Sequence, residues 1–259
     1  MKTISALVVA HNEEKQLADC LERLKFADEI VVVLDKCTDK SKEIALQFTK
    51  RIVEGRWDIE GDRRNRGLAE CTMDWVLEVD ADERIPAELA AEIRTMINKP
   101  TAIGRHLIYV DNYIGETLVR NGWGAAFGTP ACERLSLRGV KTWGKHRVHP
   151  PVMWTVASGE ALKHRIIHYV DKNSADMLKR LNSYAEARSL DMLQYREWTG
   201  FYSHIRRFFG RFFKCYISRK GYKEGGYGFL IAVCAGVYPM LSWIKAKEKD
   251  PSWPKGVDG

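Results

Sequence analysis

The sequence predicts an α/β fold built around a mostly parallel sheet, and three observations lead to that prediction. Residues 4–10 and 29–34 are short and almost continuously apolar, which is typical of strands covered on both faces. Between them, residues 13–24 carry leucines at helical spacing. This strand–helix order then repeats up to residue 79, and repeated units of this kind imply parallel strands joined by right-handed crossovers.

The predicted elements follow one another closely over the first eighty residues. Asn12 is well placed as the N-cap of the first helix, because its side chain can accept a hydrogen bond from the helix N-terminus. In such sheets ligands bind outside the carboxyl ends of the strands, so the residues that directly follow the strands are the candidate functional ones. In chain order the predicted segments are strand 4–10, helix 13–24, strand 29–34, helix 41–48, strand 52–53, helix 63–71 and strand 75–79.

Polar side chains follow three of these strands. Asn12 and Glu13 come after the first strand, residues 35–39 after the second, and Asp80 and Asp82 after the fourth. Along an extended backbone, the two aspartates after the fourth strand point to one face. Paired carboxylates form a hard oxygen site for Mg²⁺ or Mn²⁺, and the cation can bridge to a diphosphate. The alternative interpretation is a polar strand end followed by the start of a helix.

Composition and missing motifs exclude several classes of protein. No Gly-x-Gly-x-x-Gly follows the first strand and no Gly-x-x-x-x-Gly-Lys-Ser/Thr occurs, which argues against a dinucleotide site and a P-loop. The six cysteines have no paired spacing, so we expect reduced thiols in a cytosolic compartment. The apolar run of residues 4–10 is too short for a signal peptide, lacks a small-residue cleavage site and is soon followed by acids at 13 and 14. The net charge of +7 suits an anionic partner.

The last third of the chain has a different character. Residues 201–223 contain seven Lys or Arg, eight Phe or Tyr and no acid, which favours a helix lying on an anionic membrane surface. Residues 227–244 are largely apolar but sit at the lower limit for spanning a bilayer. Surface attachment, packing within the protein or a dimer, and a true span are the alternatives. No nucleic-acid motif accompanies the basic residues, so we expect no nucleic-acid partner.

Four segments, in the correct order, resemble the motifs of the inverting family 2 glycosyltransferases. They are residues 8–14 (VVAHNEE), 34–39 (LDKCTD), 64–68 (RNRGL) and 74–83 (DWVLEVDADE). The resemblance implies a GT-A fold, which is a mostly parallel, Rossmann-like sheet flanked by helices. It also implies that a sugar is transferred from a nucleotide donor with inversion at the anomeric carbon.

The same resemblance implies roles for individual residues. Asp35 is expected to accept a hydrogen bond from the base, most often uracil, which makes a UDP-sugar the expected donor. Arg64 is expected to reach the base or the diphosphate. Asp80 and Asp82 are expected to hold the ribose and a divalent cation, Mg²⁺ or Mn²⁺. His168 resembles a position that can complete the metal shell, although core packing is an alternative role for it.

The catalytic base is less clearly marked. Relatives that act on the lipopolysaccharide core often carry an Arg-rich segment that ends in Val-His-Glu, with the acid as the base. Residues 147–151 read RVHPP, so Pro150 stands in the place of that acid. An inverting transfer still needs a group to deprotonate the acceptor hydroxyl. His149 and Glu133 are the candidates, and His149 could equally be a structural histidine before a proline turn.

These observations predict a catalytic domain over residues 1–170 and a helical basic and aromatic extension over 171–259. Within the first, about 1–100 is expected to hold the nucleotide sugar and about 101–170 the acceptor. The function that the resemblance implies is glycosyl transfer to a lipid-linked glycan, with the lipopolysaccharide inner core as the leading acceptor. The expected location is peripheral, on the cytoplasmic face of a bacterial inner membrane. A polyprenyl-phosphate sugar synthase and a non-catalytic membrane protein that binds nucleotide sugars are the alternatives.

Overall fold

A computed structural model describes residues 1–100, 102–124 and 128–250. The chain divides into two compact units. The first unit comprises Met1–Asp111, Ala131–His146 and Pro150–Tyr169, and the second comprises Asn112–Pro130, Arg147–His149 and Val170–Gly259. The second unit therefore takes two short insertions from within the predicted catalytic domain as well as the C-terminal extension.

Strands dominate the first unit and helices dominate the second. In chain order the elements are β1 (Ile4–Ala10), α1 (Leu17–Glu22), β2 (Glu29–Asp35), α2 (Ser41–Leu46), β3 (Ile52–Gly55), α3 (Glu60–Glu70), β4 (Trp75–Asp80), β5 (Glu83–Arg84), α4 (Ala87–Ile97), β6 (Arg105–Ile114), β7 (Thr117–Val119), β8 (Ala131–Leu137), β9 (Lys141–Trp143), β10 (Val152–Trp154), β11 (Arg165–Asp171), α5 (Ser174–Gln194), α6 (Phe201–Phe213) and α7 (Gly225–Lys249). A π-helical turn (Lys214–Ser218) and a 3-10 turn (Gly221–Glu224) connect α6 to α7.

The sheet of the first unit is parallel where the sequence predicted parallel strands and mixed beyond that. Its strand order is β3-β2-β1-β4-β8-β6-β11-β5. β3, β2, β1 and β4 pair in parallel, whereas β8 joins β4 antiparallel and β6 joins β8 antiparallel. All seven residues of β1 are buried, as expected for the central strand of a sheet with helices on both faces.

The first helix differs from its prediction. Asn12 does not cap it, because this residue has a left-handed φ of 56° and its side-chain oxygen accepts a hydrogen bond from the Thr38 amide at 2.8 Å. The chain instead makes a turn in which Gln16 and Leu17 donate to the Glu13 carbonyl, and α1 begins only at Leu17. The expected N-cap is therefore wrong, and Asn12 connects two loops of the candidate site.

Helix α3 begins three residues earlier than predicted, at Glu60, and its first turn lies close to the backbone of residues 144–146. A side-chain carbon at Gly61 would lie 1.8 Å from the carbonyl oxygen of Gly144, so only glycine fits there. Asn65 reinforces the contact: its side chain donates to the Trp143 carbonyl and accepts from the Trp143 amide, both at 2.8 Å. This packing fixes the helix that carries Arg63 and Arg64.

Glu29, at the start of β2, makes the stability of the first unit depend on pH. It is 7% exposed and accepts hydrogen bonds from the Thr72 amide at 2.9 Å, from the Thr72 hydroxyl at 2.8 Å and from the Ser5 hydroxyl. Burial alone would raise the pKa of this carboxyl, but the hydrogen bonds from Ser5 and Thr72 and the charge of Arg51 lower the pKa below its ordinary value.

We therefore expect Glu29 to stabilise the fold above its unfolded pKa of about 4.5 and to lose that contribution as the pH falls through its lower folded value. Glu29→Gln should cost about 1.5–3 kcal/mol at pH 7 and progressively less below pH 4. Urea unfolding of both proteins between pH 3 and 7 measures the difference. A difference that stays constant across this range would contradict the assignment.

The second unit is built from α5, α6 and α7 around its own core. Asn173 caps α5 by accepting a hydrogen bond from the Asp176 amide at 3.0 Å. Gly228 at the start of α7 lies against the Gly221 carbonyl, 1.8 Å from where a side-chain carbon would stand. The buried core residues of this unit include Met177, Leu181, Ala185, Cys215, Ile231, Ala232, Cys234, Ala235 and Tyr238.

Within the described residues, one helical segment, Gly221–Lys249, is long and apolar enough to cross a membrane by length and composition. Its most apolar window has a mean hydropathy of 1.6, and 56% of that window is buried inside the protein. Pro239 lies within α7, and α7 packs against both α5 and α6. Of the three alternatives for residues 227–244, packing within the protein is the one that requires burial of this extent.

Candidate active site

The loops after β1 and β2 are tied to each other by hydrogen bonds. Besides the bond from Asn12 to the Thr38 amide, the Glu13 amide donates to the Ser41 hydroxyl at 3.0 Å. Asp39 accepts from the Glu14 amide and from the Ser41 amide, both at 3.0 Å, so it also supports the start of α2. The motifs after the first and second strands therefore form one connected surface at the carboxyl edge of the sheet.

Asp35 lies at the end of β2 and is 5% exposed. One carboxylate oxygen accepts from the Trp57 amide at 3.0 Å, and the other pairs with Arg63 Nη1 at 3.1 Å. The arginine beside the predicted base-binding aspartate is thus Arg63, which the sequence analysis did not single out. Arg64, one residue later on α3, points to a different carboxylate.

That carboxylate is Asp80, at the end of β4. Arg64 Nη2 lies 3.0 Å from Asp80 Oδ1, and Arg134 of β8 binds the other oxygen. Arg134 also pairs with Glu83 at 2.9 Å, and Glu83 accepts from the Asp80 amide at 2.9 Å. Glu60 holds Arg64 from the opposite side at 2.9 Å. Residues of three other elements, α3, β5 and β8, therefore surround this aspartate at the end of β4.

Electrostatics keep Asp80 ionised. Burial works to raise the pKa of Asp80, but the charges of Arg134 and Arg64 outweigh it and hold the pKa well below its ordinary value. Burial raises the pKa of Glu83, against the charge of Arg134. At neutral pH Asp80 is ionised, and its two oxygens are oriented by two guanidinium groups.

Asp82 and His168 form the second half of the site. His168 Nε2, on β11, lies 3.3 Å from Asp82 Oδ2, and the Tyr169 amide donates to the Asp82 carbonyl at 3.0 Å. Burial lowers the pKa of His168, but the charge and hydrogen bond of Asp82 outweigh it and raise the pKa. Asp82 also affects Glu13, since burial and then the charge of Asp82 raise the pKa of the Glu13 carboxyl.

The predicted metal ligands are therefore only partly assembled. Asp82 and His168 are adjacent, whereas both oxygens of Asp80 are engaged by arginines. Within residues 1–100, 102–124 and 128–250, no three His, Cys, Asp or Glu side chains form a group that could hold a metal ion alone. The donor set still fits Mg²⁺ or Mn²⁺, because such ions usually take one or two protein ligands and complete their shell with water and phosphate oxygens.

The two candidates for the base lie in different places. Glu133 is on β8 in the first unit, where its carboxylate pairs with Arg105 at 2.8 Å and its side chain is 24% exposed. His149 belongs to the second unit, is exposed and has a left-handed φ of 50°. Its ring makes edge contacts with Tyr184 and Tyr238, with centroids 5.1 and 6.5 Å away.

The comparison with protein families identifies the family of this chain. Residues 5–139, just over half of the chain, match the family described as "Glycosyl transferase family 2". The chain belongs to glycosyl transferase family 2 and is a glycosyltransferase. The predicted GT-A fold and the helical C-terminal extension are thereby confirmed.

Similar curated proteins carry related names. An uncharacterized glycosyltransferase of Rickettsia typhi is 33% identical over 94 residues, which span 36% of this chain and only 32% of that protein. An uncharacterized glycosyltransferase of Rickettsia felis is 22% identical over 96% of this chain and 90% of its own length. The lipopolysaccharide core biosynthesis glycosyltransferase LpsC of Rhizobium meliloti is 24% identical over 95% of this chain and 92% of its own length.

Solved structures show more distant likeness. TarS 1–349 of S. aureus aligns with a TM-score of 0.45 at 14% identity, over 72% of this chain and 65% of that one. Glucosyl-3-phosphoglycerate synthase of Mycobacterium tuberculosis, in complex with Mg²⁺ and uridine diphosphate, aligns with a TM-score of 0.37 at 22% identity, over 43% of this chain and 44% of that one.

Proposed function

We propose that this enzyme transfers a sugar, with inversion, from a UDP-sugar to a lipid-linked glycan, with the lipopolysaccharide inner core as its leading acceptor. The observation that carries the proposal is the convergence of Asp35, Asp80 and Asp82 at one edge of the sheet, together with arginines suited to a diphosphate. The nearly full-length similarity to a glycosyltransferase named for lipopolysaccharide core biosynthesis supports the acceptor class.

In this proposal the nucleotide lies along the ends of β1, β2 and β4. Asp35 accepts a hydrogen bond from the uracil, and Arg63 orients the Asp35 carboxylate at 3.1 Å. Asn12 and Glu13 line the same edge of the sheet, since both belong to the loop after β1. Arg64 reaches the diphosphate or the base, and Asp80 reaches the ribose. To make these contacts, Arg64 and Asp80 would have to weaken the ion pair that joins them.

A divalent cation, Mg²⁺ or Mn²⁺, would be held by Asp82 and His168, with Asp80 beside it. When bound, such an ion stabilises the negative charge that develops on the leaving diphosphate. The acidic character of the region favours a cation: burial, and then the negative charge of Asp82, raise the pKa of the Glu13 carboxyl. Asp82 raises the pKa of His168 and so favours its protonated form. His168 would coordinate the cation as the neutral imidazole, so cation binding would release that proton.

The acceptor hydroxyl needs a base on the side opposite the leaving group. We keep Glu133 and His149 as the candidates. Glu133 is a carboxylate of the first unit, where the donor residues also lie, and its partner Arg105 stacks on Trp154 at 4.7 Å. His149 is exposed, so it is accessible to an acceptor. Loss of turnover with retained UDP binding, in Glu133→Gln or in His149→Asn, would identify the base.

Turnover with a panel of donors and acceptors tests the proposal. We expect release of UDP from a UDP-sugar only when lipopolysaccharide with a truncated core is present. Equal release with polyprenyl phosphate would favour the polyprenyl-phosphate sugar synthase instead. Binding of UDP without turnover on any acceptor would favour a non-catalytic role, and a preference for another nucleotide would contradict the assignment of Asp35.

We propose that the enzyme acts peripherally, at the cytoplasmic face of an anionic inner membrane, through α6 and the turn that follows it. Arg206, Arg207 and Lys214 are exposed on the same segment as an apolar stripe, and residues 201–223 contain no acid. Such a surface suits an interfacial helix rather than a span. The stripe consists of Tyr202, Phe209, Phe213 and Ile217, whose exposed fractions are 70, 51, 54 and 53%.

Replacing two members of the stripe, Phe209→Ser with Phe213→Ser, should weaken binding to phosphatidylglycerol vesicles at least about tenfold, because each buried Phe contributes roughly 1.5–3 kcal/mol. Vesicle co-sedimentation measures the effect. Met153→Ser, a change at a side chain in the first unit that is 59% exposed, is the matched control and should bind as the unaltered protein does. Unchanged binding of the double variant would remove α6 as the membrane contact.

A further inference from the structure

The second unit contains a group of arginines, and three of them have carboxylate partners. Arg180 pairs with Asp171 at 2.7 Å. Arg147 pairs with Asp191 at 3.0 Å, and Arg188 pairs with Glu197. Charged side chains that are buried in proteins are usually paired in this way, because an unpaired buried charge costs free energy.

Arg211 on α6 differs from the others. Its guanidinium lies 5.8 Å from the ring centroid of Tyr238, and its Nη1 atom is buried without a hydrogen-bond partner among the described residues. No ion pair joins it to a carboxylate in the part of the chain that the structure describes. Burial lowers the pKa of Arg211; Tyr238 opposes this shift, whereas the positive charges of Arg207 and Arg188 add to it. The guanidinium therefore lies among cations without a counter-ion.

Arg211 is half-buried, and two residues next to Tyr238 reach the surface. The Arg188 side chain is 28% exposed, and its positive charge works to lower the pKa of Tyr238. His149 is exposed and touches the edge of the Tyr238 ring. Burial raises the pKa of Tyr238 to about 12, against the charges of Arg188 and Arg211, so its hydroxyl keeps its proton and can donate a hydrogen bond.

We propose that Arg211, together with Arg188 and Tyr238, binds an oxyanion, a phosphate or carboxylate group, carried by the acceptor. The inference rests on the proposed function, since it adds the charge of the acceptor to it. An arginine fork matches the geometry of both groups, and a tyrosine hydroxyl supplies a further donor. A cation kept without a partner at a cost to stability is typical of a binding site.

The experiment compares the thermal stability of the full chain in potassium phosphate and in potassium chloride of equal ionic strength. We expect phosphate to raise the Tm of the unaltered protein by about 2–4 °C over chloride. Arg211→Met should lose this gain. Arg206→Met, which removes an exposed arginine from the same helix, should keep it. In chloride, Arg211→Met should be at least as stable as the unaltered protein, because it removes an unpaired buried charge.

Two results would overturn the inference. An equal gain in Arg211→Met would mean that phosphate binds elsewhere, such as the diphosphate site of the first unit. An Arg211→Met protein that is unfolded or clearly less stable in chloride would make Arg211 a structural cation. Stabilisation by UDP, measured on the same proteins, tests the donor site separately, so failure of either proposal is recognised by itself.

A second pair of probes distinguishes the sources of the anion. If glucose 6-phosphate reproduces the Arg211-dependent gain and vesicle binding is unchanged in Arg211→Met, the group is carried by a saccharide. If Arg211→Met instead weakens binding to phosphatidylglycerol vesicles more than Arg206→Met does, the phosphate is that of a lipid headgroup. In that case the part of the proposal that assigns the anion to the acceptor is wrong.

Discussion

Replacing Asp80 with alanine is expected to lower the free energy of unfolding by about 3 kcal/mol and to abolish donor binding. The loss follows from what the carboxylate holds: Arg64 and Arg134 have side chains that are only 9 and 12% exposed, and both pair with it. Removing one partner of a buried ion pair leaves an uncompensated charge, which is usually more damaging than the loss of the attraction itself. Glu60 and Glu83 retain part of the pairing and limit the cost.

Asp82→Ala is the matched control for this prediction. Asp82 is a neighbouring acid of the same motif, but its side chain is 30% exposed and it pairs with His168. We expect it to cost less than about 1 kcal/mol, as is usual for partly exposed pairs. Urea unfolding of the two variants measures both values. Equal losses would show that the Asp80 cluster does not support the fold in the way described.

The second large effect is expected at Lys141 on β9. Its ammonium pairs with Glu78 in the middle of β4, and these side chains are 4 and 3% exposed. The Trp143 indole donates to the other Glu78 oxygen at 2.9 Å, and the Lys141 ammonium lies 4.2 Å from the Trp143 ring centroid. Lys141→Met would leave the Glu78 carboxylate buried without its cation, so we expect a loss of about 3–5 kcal/mol.

Neutralising both partners should recover much of that loss. In the double variant Glu78→Gln with Lys141→Met, the Gln amide oxygen can still accept from Trp143 while no charge remains buried. A double-mutant cycle from urea unfolding gives the coupling free energy, which we expect to exceed about 1 kcal/mol. Additive losses from the two changes would contradict a coupled buried pair.

The parallel half of the fold could be predicted from sequence because its strands are simple apolar runs. Strand β1 begins and ends at the predicted residues, and β4 extends its prediction by one residue, Asp80. The predicted starts of two helices were less accurate, at positions where contacts with other loops are made. Asn12 adopts a left-handed backbone conformation, and its side chain accepts a hydrogen bond from the loop after β2. Gly61 allows the first turn of α3 to lie against the Gly144 carbonyl.

The sequence predicted candidate residues for the site but not the side chains that pair with them. Asp35, Asp80 and Asp82 could be named because they follow strands of a parallel sheet and match a family motif. Arg134 could not, because it meets Asp80 through antiparallel pairing of β8 with β4, and the two residues are 54 positions apart in the sequence. Arg63 and Arg64 are adjacent in the sequence, and only the direction of each side chain on α3 assigns them to different aspartates.

The central claim is that the edge formed by β1, β2 and β4 binds UDP together with a divalent cation. Thermal unfolding with UDP, with and without Mn²⁺, tests it most directly on the unaltered protein and on Asp82→Asn. At about a hundred times its dissociation constant, UDP should add roughly 2.7 kcal/mol of stability when Mn²⁺ is present. Little of that gain should remain without the cation or in the variant, which should fold normally. Equal stabilisation of both proteins by UDP, or none in either, would contradict the account.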